Sequence, residues 1–223
     1  MTLGGEPIDH FYTDKACALL VYLAVEVERP HRREALAGLL WPEYPEANAR
    51  HTLSQTLTNL RRLLGDHHRP SPYLDTTRAT VALSAENNPW VDVREFDTLI
   101  SASRIGYRPL DRGDGPYGPP PAGDEDEVER LVQAVTLYQG GFLSGFSLGD
   151  APAFEEWQLL HRERLHRQMT EALGCLVAAY LASGVYEAAL RFAWRWVELD
   201  PWQEPAQRQL IRLLALTGQR SAA

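Results

Sequence analysis

The chain has 223 residues, 44% of them hydrophobic, with 22 Lys+Arg against 30 Asp+Glu and a formal net charge of −8. That length and apolar content suit one large or two ordinary globular domains, and exclude a fibrous, collagen-like or disordered chain. No apolar run of about 18 residues is present, so no membrane span is expected.

The first thirty residues also lack the charged start and apolar stretch of a signal peptide. Two cysteines, Cys17 and Cys175, are too few for a disulfide framework. Each falls in a helix-like apolar pattern, which predicts buried free thiols in a reducing cytoplasm.

Averaged over the chain, the negative charge argues against a nucleic-acid partner. Its distribution argues otherwise. Residues 29–78 hold eight arginines against five carboxylates, a surplus of three, and four of the seven histidines. The rest of the chain therefore carries −11. Such a division predicts two functional parts.

In chain order, Leu3-Gly4-Gly5-Glu6-Pro7-Ile8 reads as a turn between two strand ends. Ala16, Leu19, Leu20 and Leu23 stand at helical spacing and predict a helix over 14–26, with Asp14 placed to start it. A shorter helix over 32–40 ends at Trp41-Pro42, where proline forbids continuation. Pro45 suits the first position of a third helix, which runs to Leu64 and stops at Gly65. The stretch 73–83 alternates polar and apolar residues and reads as a short hairpin.

Residues 104–127 are rich in Gly and Pro, with no usable apolar period, and read as a mobile insertion. Their acid run, Asp124-Glu125-Asp126-Glu127, suits the negative first turn of the next helix better than a metal site. Everything beyond reads as helical. Val128, Leu131, Val132, Val135 and Tyr138 form one apolar face. Phe154 to Tyr180 makes a long helix or two abutting ones, and helices follow over 185–199 and 205–216.

The C-terminal segment AYLASGVYEAALRFAWRWVELDP has Gly184 at a turn, Ala189 at a close helix crossing and Pro201 as a stop. It resembles the tetratricopeptide repeat (TPR), and Gly218 recurs 34 residues after Gly184, the length of that repeat. Trp196 departs from the pattern, standing where a small residue is preferred; its ring is expected to push the hairpin apart or to face outward. The chain stops within the next repeat, so a longer parent protein is expected.

The third helix carries the most specific signal. With about 100° per residue, Leu53, Leu57, Leu60 and Leu64 fall on one stripe with Ala49 beside them. The opposite face carries Asn48, His51, Gln55, Thr58, Asn59 and Arg62, flanked by Arg50 and Arg61, and no acid lies between Ala47 and Leu64. Solvated helix faces ordinarily mix both charge signs. Amides can bond an adenine edge, arginine a guanine edge, and threonine a phosphate. Helix, short helix, turn, amide-rich basic helix and hairpin is the order of a winged helix-turn-helix.

The segments EALAGLLWPE, LTNLRRLLGD, LYQGGFLSGF (137–146) and FEEWQLLHRERL (154–165) resemble the Streptomyces antibiotic regulatory protein (SARP) type of transcriptional regulator. The resemblance spans nearly the whole chain outside the insertion. It implies a mainly α fold: a winged helix-turn-helix over 1–90, then an all-helical TPR-like bacterial transcriptional activator domain over 91–223. It further implies binding to repeated sites in double-stranded promoter DNA and activation through RNA polymerase holoenzyme. No cofactor is implied. Carried over by position, the DNA-binding residues are Asn48, Arg50, His51, Ser54, Gln55, Thr58, Arg61 and Arg62, with Thr77 and Arg78 on the wing; the loop 41–46 faces polymerase. The family's N-terminal sheet has about a dozen further residues before the Gly-Gly turn. Its first strand and most of its second are therefore expected to be absent here, trimmed by the assigned start, or a strand is supplied by another chain through self-association at an open sheet edge.

Two other readings stand beside this one. In the first, the winged helix has lost DNA binding and the TPR-like part serves as a protein adaptor. In the second, Gly145-Phe146-Ser147-Leu148-Gly149 is a G-x-S-x-G nucleophile elbow, but that motif needs a strand before the serine and the surroundings read as helical. His161 and His166 fall on different helix faces, and His67-His68 lack a ligand cluster. The six tryptophans read as packing residues.

Overall fold

The computed structural model describes residues 2–3, 6–7, 10–27, 29–66, 71–84, 90–103 and 125–218. The predicted insertion therefore lies largely outside the described residues, as do His67, His68, Gly4 and Gly5. The chain divides into two compact units, residues 1–91 with 145–160, and residues 92–144 with 161–223.

The first unit is a winged helix. Short strands β1 (Thr2–Leu3) and β2 (Glu6–Pro7) pair antiparallel, as expected for strand ends around a turn. Helix α1 (Asp14–Val25) buries Leu19, Leu20 and Leu23. Its cap is Thr13, not Asp14: the Thr13 hydroxyl accepts from the Ala16 amide at 3.2 Å, leaving Asp14 in the first turn beside the helix dipole. Strand β3 (His31–Arg32) leads directly into α2 (Arg33–Leu40), and α3 (Glu46–Leu63) follows. Pro45 occupies the cap position, one residue before its expected place. Strands β4 (Leu74–Thr76) and β5 (Thr80–Leu83) form the hairpin. β3 joins it as a third antiparallel strand, in the order β3-β5-β4 with His31 opposite Val81.

Residues 145–160, beyond the expected boundary at residue 90, pack with the first unit. Phe154 is fully buried there. The Trp157 ring lies 5.0 Å from that of Tyr22, and its indole N–H donates to Glu26 Oε1 at 2.9 Å. Burial and the nearby Glu26 carboxylate push the Tyr22 phenol up from its ordinary range. Lys15 pairs with Asp150 at 2.7 Å.

Among the described residues, the regular elements of the second unit are all helices: α4 (Asp92–Ala102), α5 (Glu125–Leu137), α6 (Pro152–Ala182, from His161 onward), α7 (Tyr186–Leu199) and α8 (Glu204–Leu216). Helix α4 was not anticipated. Phe96 is its one buried apolar side chain, so its periodicity is thin. Phe96 meets Tyr138 at 6.0 Å and Asp97 pairs with Arg164 at 2.5 Å. Glu125, Asp126 and Glu127 form the first turn of α5, as the dipole argument requires.

The turn from α6 to α7 shows how the TPR-like pattern works. Gly184 has φ +74°, the Val185 amide donates to Tyr180 O, and the Gly184 amide donates to Leu181 O. This is a Schellman cap, which needs a left-handed residue and hence glycine. Gly218, in the same repeat position, has φ +80°. Ala189, Ala193 and Ala206 are fully buried, which lets α7 and α8 pack closely.

Trp196 does not face outward, one of the two outcomes expected of it. It is fully buried, faces inward, and donates its indole N–H to Gln203 Oε1 at 3.2 Å. Conversely, Trp90, Trp194 and Trp202 are exposed, Trp202 to 92%, so they are not packing residues. Trp41 is buried and Trp157 half-buried. Cys175 is buried and Cys17 half-buried, and both are free thiols. Burial, with smaller contributions from Glu171 and Glu127, pushes Cys175 up to about 12.

Two outcomes are expected. Trp196→Ala destabilises the second unit by about 3–5 kcal/mol in denaturant unfolding, because it leaves a cavity where a fully buried ring stood. At pH 8 a thiol alkylator labels Cys175 only after denaturation, as read by peptide mass, since the reactive thiolate is suppressed in the fold.

Candidate nucleic-acid interface

The face that α3 turns outward follows from the face that it buries. Ala49, Leu53, Leu57 and Leu60, with Leu64 just beyond, are buried against the rest of the first unit. Asn48, Arg50, His51, Ser54, Gln55, Thr58 and Arg62 are consequently exposed. Of the expected α3 residues, only Arg61 is half-buried. Thr77 and Arg78 are exposed on the turn between β4 and β5.

These residues are not equally available. The Arg62 and Arg78 guanidinium groups have no hydrogen bond or ion pair among the described residues. Arg61 is occupied: its Nη2 donates to Thr76 Oγ1 and, at 3.5 Å, to Leu74 O, so it braces β4. Arg50 is also occupied, by Glu34 at 2.5 Å and Glu46 at 3.3 Å. The face is therefore acid-free along its own helix but not in space.

The hydroxyls are partly spent as well. Ser54 and Thr58 donate to the carbonyls of Arg50 and Ser54, at 2.9 and 3.0 Å. A hydroxyl has a single proton, so in this arrangement each can accept but not donate outward. Gln55 Nε2 donates to His51 Nε2 at 2.9 Å, which sets that imidazole nitrogen as an acceptor.

The wing is tied to α3 and α2 by groups that the sequence reading missed. The Arg33 backbone N–H donates to Ala79 O at 2.9 Å. Its guanidinium donates to Thr77 O at 3.2 Å and to Ser54 Oγ at 3.3 Å. One side chain thus bridges the outward face and the wing turn. Thr77 closes that turn: its N–H donates to Thr80 O, and its hydroxyl oxygen accepts from the Ala79 and Thr80 amides. Thr77 is thereby a turn-former, and Arg78 stands at the tip. Beyond α3, Asp66 is buried and accepts from the Tyr73 amide at 2.8 Å and the Leu74 amide at 3.1 Å. No local sequence signal marks Arg33 or Asp66, because each acts on a segment distant in the chain.

The loop 41–46 differs from the expectation in one respect. Trp41 is buried, whereas Glu43, Tyr44 and Glu46 are exposed. The Lys15 ammonium lies 5.6 Å from the Trp41 ring centre and 6.0 Å from that of Tyr44. Ser147 is exposed on a loop with no strand before it, so the nucleophile-elbow geometry is not formed.

Comparison with known proteins supplies context. Residues 121–223 match the family model of the bacterial transcriptional activator domain. A 65-residue stretch is 38% identical to the transcriptional regulatory protein EmbR of Mycobacterium tuberculosis H37Rv, and equally to that of Mycobacterium bovis, covering 29% of this chain and 16% of each relative. A solved structure of M. tuberculosis EmbR in complex with a low affinity phosphopeptide superposes with a TM-score of 0.65 at 23% identity. That match covers 100% of this chain and 53% of the solved one, so this chain spans about half the length of its structural relative.

The ties predict a measurable loosening. Arg33→Ala is expected to cost about 1 kcal/mol and to speed amide exchange at Thr77 and Thr80, with little change in α1. Asp66→Ala, which strands two amides, should cost about 1–3 kcal/mol in the same unfolding assay.

Proposed function

We propose that this chain, a SARP-type transcriptional regulator whose residues 121–223 form a bacterial transcriptional activator domain, is a sequence-specific DNA-binding activator. It binds repeated promoter sites through the outward face of α3, with the wing on the adjacent backbone, and contacts RNA polymerase. The supporting observation is that a buried leucine stripe aims a polar helix face outward while two unpaired arginines, Arg62 and Arg78, stand on the helix and on the wing tip. In a winged helix-turn-helix those positions meet the major groove and the neighbouring phosphates.

Within this reading the residues take separate roles. Gln55 and Arg62 read base edges, with His51 holding the Gln55 amide. Asn48 lies at the N-terminal end of the face. Ser54 and Thr58 accept rather than donate, and Arg61 holds the wing in place. Arg78 neutralises a phosphate. The exposed part of the loop 41–46, Glu43 and Tyr44, is the polymerase-facing surface. The net charge of −8 makes the affinity of a single copy low, so paired copies on repeated sites supply the stability.

Gel shift against promoter DNA from the chain's own genomic neighbourhood tests the reading. Binding should weaken steeply as salt rises, the signature of phosphate contacts. Arg62→Ala should cost about 1–3 kcal/mol and relax discrimination at one base pair. Full affinity in the Arg62→Ala/Gln55→Ala double variant overturns the assigned face. A wild-type chain that binds no duplex favours the adaptor reading instead.

A further inference from the structure

We infer that Glu34 is a specificity-determining residue of the DNA face: it holds Arg50 away from non-specific phosphate. The inference rests on the DNA-binding reading of α3.

Arg50 stands on the outward face, yet its two terminal nitrogens are each held by a different carboxylate. Nη2 meets Glu34 Oε1 at 2.5 Å and Nη1 meets Glu46 Oε1 at 3.3 Å. The Glu46 contact is an ordinary pair one helical turn back. The Glu34 contact comes from α2, is the shorter of the two, and leaves both partners 46% exposed. It is therefore an exposed pair on the surface where DNA would lie.

The charge count decides the effect. Two carboxylates around one guanidinium leave the Arg50 cluster at −1. The cluster stands near the N-terminal end of α3, whose dipole and free amides otherwise attract phosphate. At the other end Arg62 is open, and Arg78 is open on the wing tip. Arg50 is thus held within a net acidic cluster, while Arg62 and Arg78 stand free of carboxylates among the described residues.

A stray phosphate meeting Arg50 must displace a carboxylate held at charge-assisted hydrogen-bond distance and approach a second negative group. A duplex already seated on Gln55 and Arg62 presents its phosphate or guanine edge at high local concentration, and can displace Glu34. Glu34 weakens both kinds of complex but weakens the non-specific one more. Specificity is a difference of affinities, and a repulsive group on the surface raises it.

The test uses the full chain and two probes: random-sequence duplex, and a duplex that the wild-type chain selects from a random library. For Glu34→Gln, affinity for random duplex should rise about three- to tenfold at 0.1 M salt, and the log–log salt slope should steepen by about one. The ratio of selected to random affinity should fall. In the Arg50→Ala background the same Glu34→Gln change should have no effect, because Glu34 acts through Arg50. Unchanged random-duplex affinity in a Glu34→Gln chain with wild-type circular dichroism overturns the inference. So does a gain that persists in the Arg50→Ala background, since Glu34 would then act only as a bulk negative charge. A wild-type chain that selects no duplex overturns the DNA-binding reading itself, a result distinct from either.

Discussion

The rotation of α3 about its own axis is the constraint on which the rest depends. Leu53, Leu57 and Leu60 are buried to within a few per cent, and that stripe sets which side chains can reach a partner. A slip of one residue turns the helix by about 100° and would drive Arg50 and Arg61, or Asn48 and Asn59, into the apolar core. The outward face is thus a by-product of core packing. Arg33, Arg61 and Asp66 then carry the same registration into the wing, through contacts to Thr77, Thr76 and Leu74. Helix and wing behave as one polar surface because these side chains cross between them.

Where the physics is local, the sequence was legible. Leucine spacing, the proline at the start of α3 and the glycine after it are short-range signals, and the boundaries lie within a residue or two of expectation. The 34-residue spacing of Gly184 and Gly218 was legible for the same reason, since a left-handed helix cap is a demand on one residue. The winged-helix order and the polar stripe followed from these. What was missed depends on contacts across the chain. Helix α4 has a single buried apolar anchor, and β3 is only two residues long. Residues 145–160 join the first unit through Phe154 and Trp157, which no linker composition foretells. The inward-facing Trp196 bonds Gln203, a residue beyond the end of its own helix.

The candidate site divides along the same line. Composition put arginines and amides on one face and could say which were exposed. It could not say which were already engaged, because the partners come from other elements. Glu34 is 16 residues from Arg50 in the chain, and Thr76 is 15 from Arg61. An acid-free helix is therefore a weaker statement than an acid-free surface. The division of charge between residues 29–78 and the remainder pointed towards DNA, but the electrostatics at contact distance belong to individual pairs.

The chain's single lysine, Lys15, has its ammonium paired with Asp150 and set beside Trp41 and Tyr44. Every cation on the face formed by α3 and the wing is an arginine. Guanidinium keeps its proton throughout the range in which proteins stay folded. Acylation, the common reversible way of cancelling basic charge on a DNA-binding protein, acts on lysine amines. It has nothing to modify on this surface. Regulation of the electrostatics there must come from the acidic side, through the carboxylates that engage or release the arginines, or through added negative charge on the hydroxyls between them.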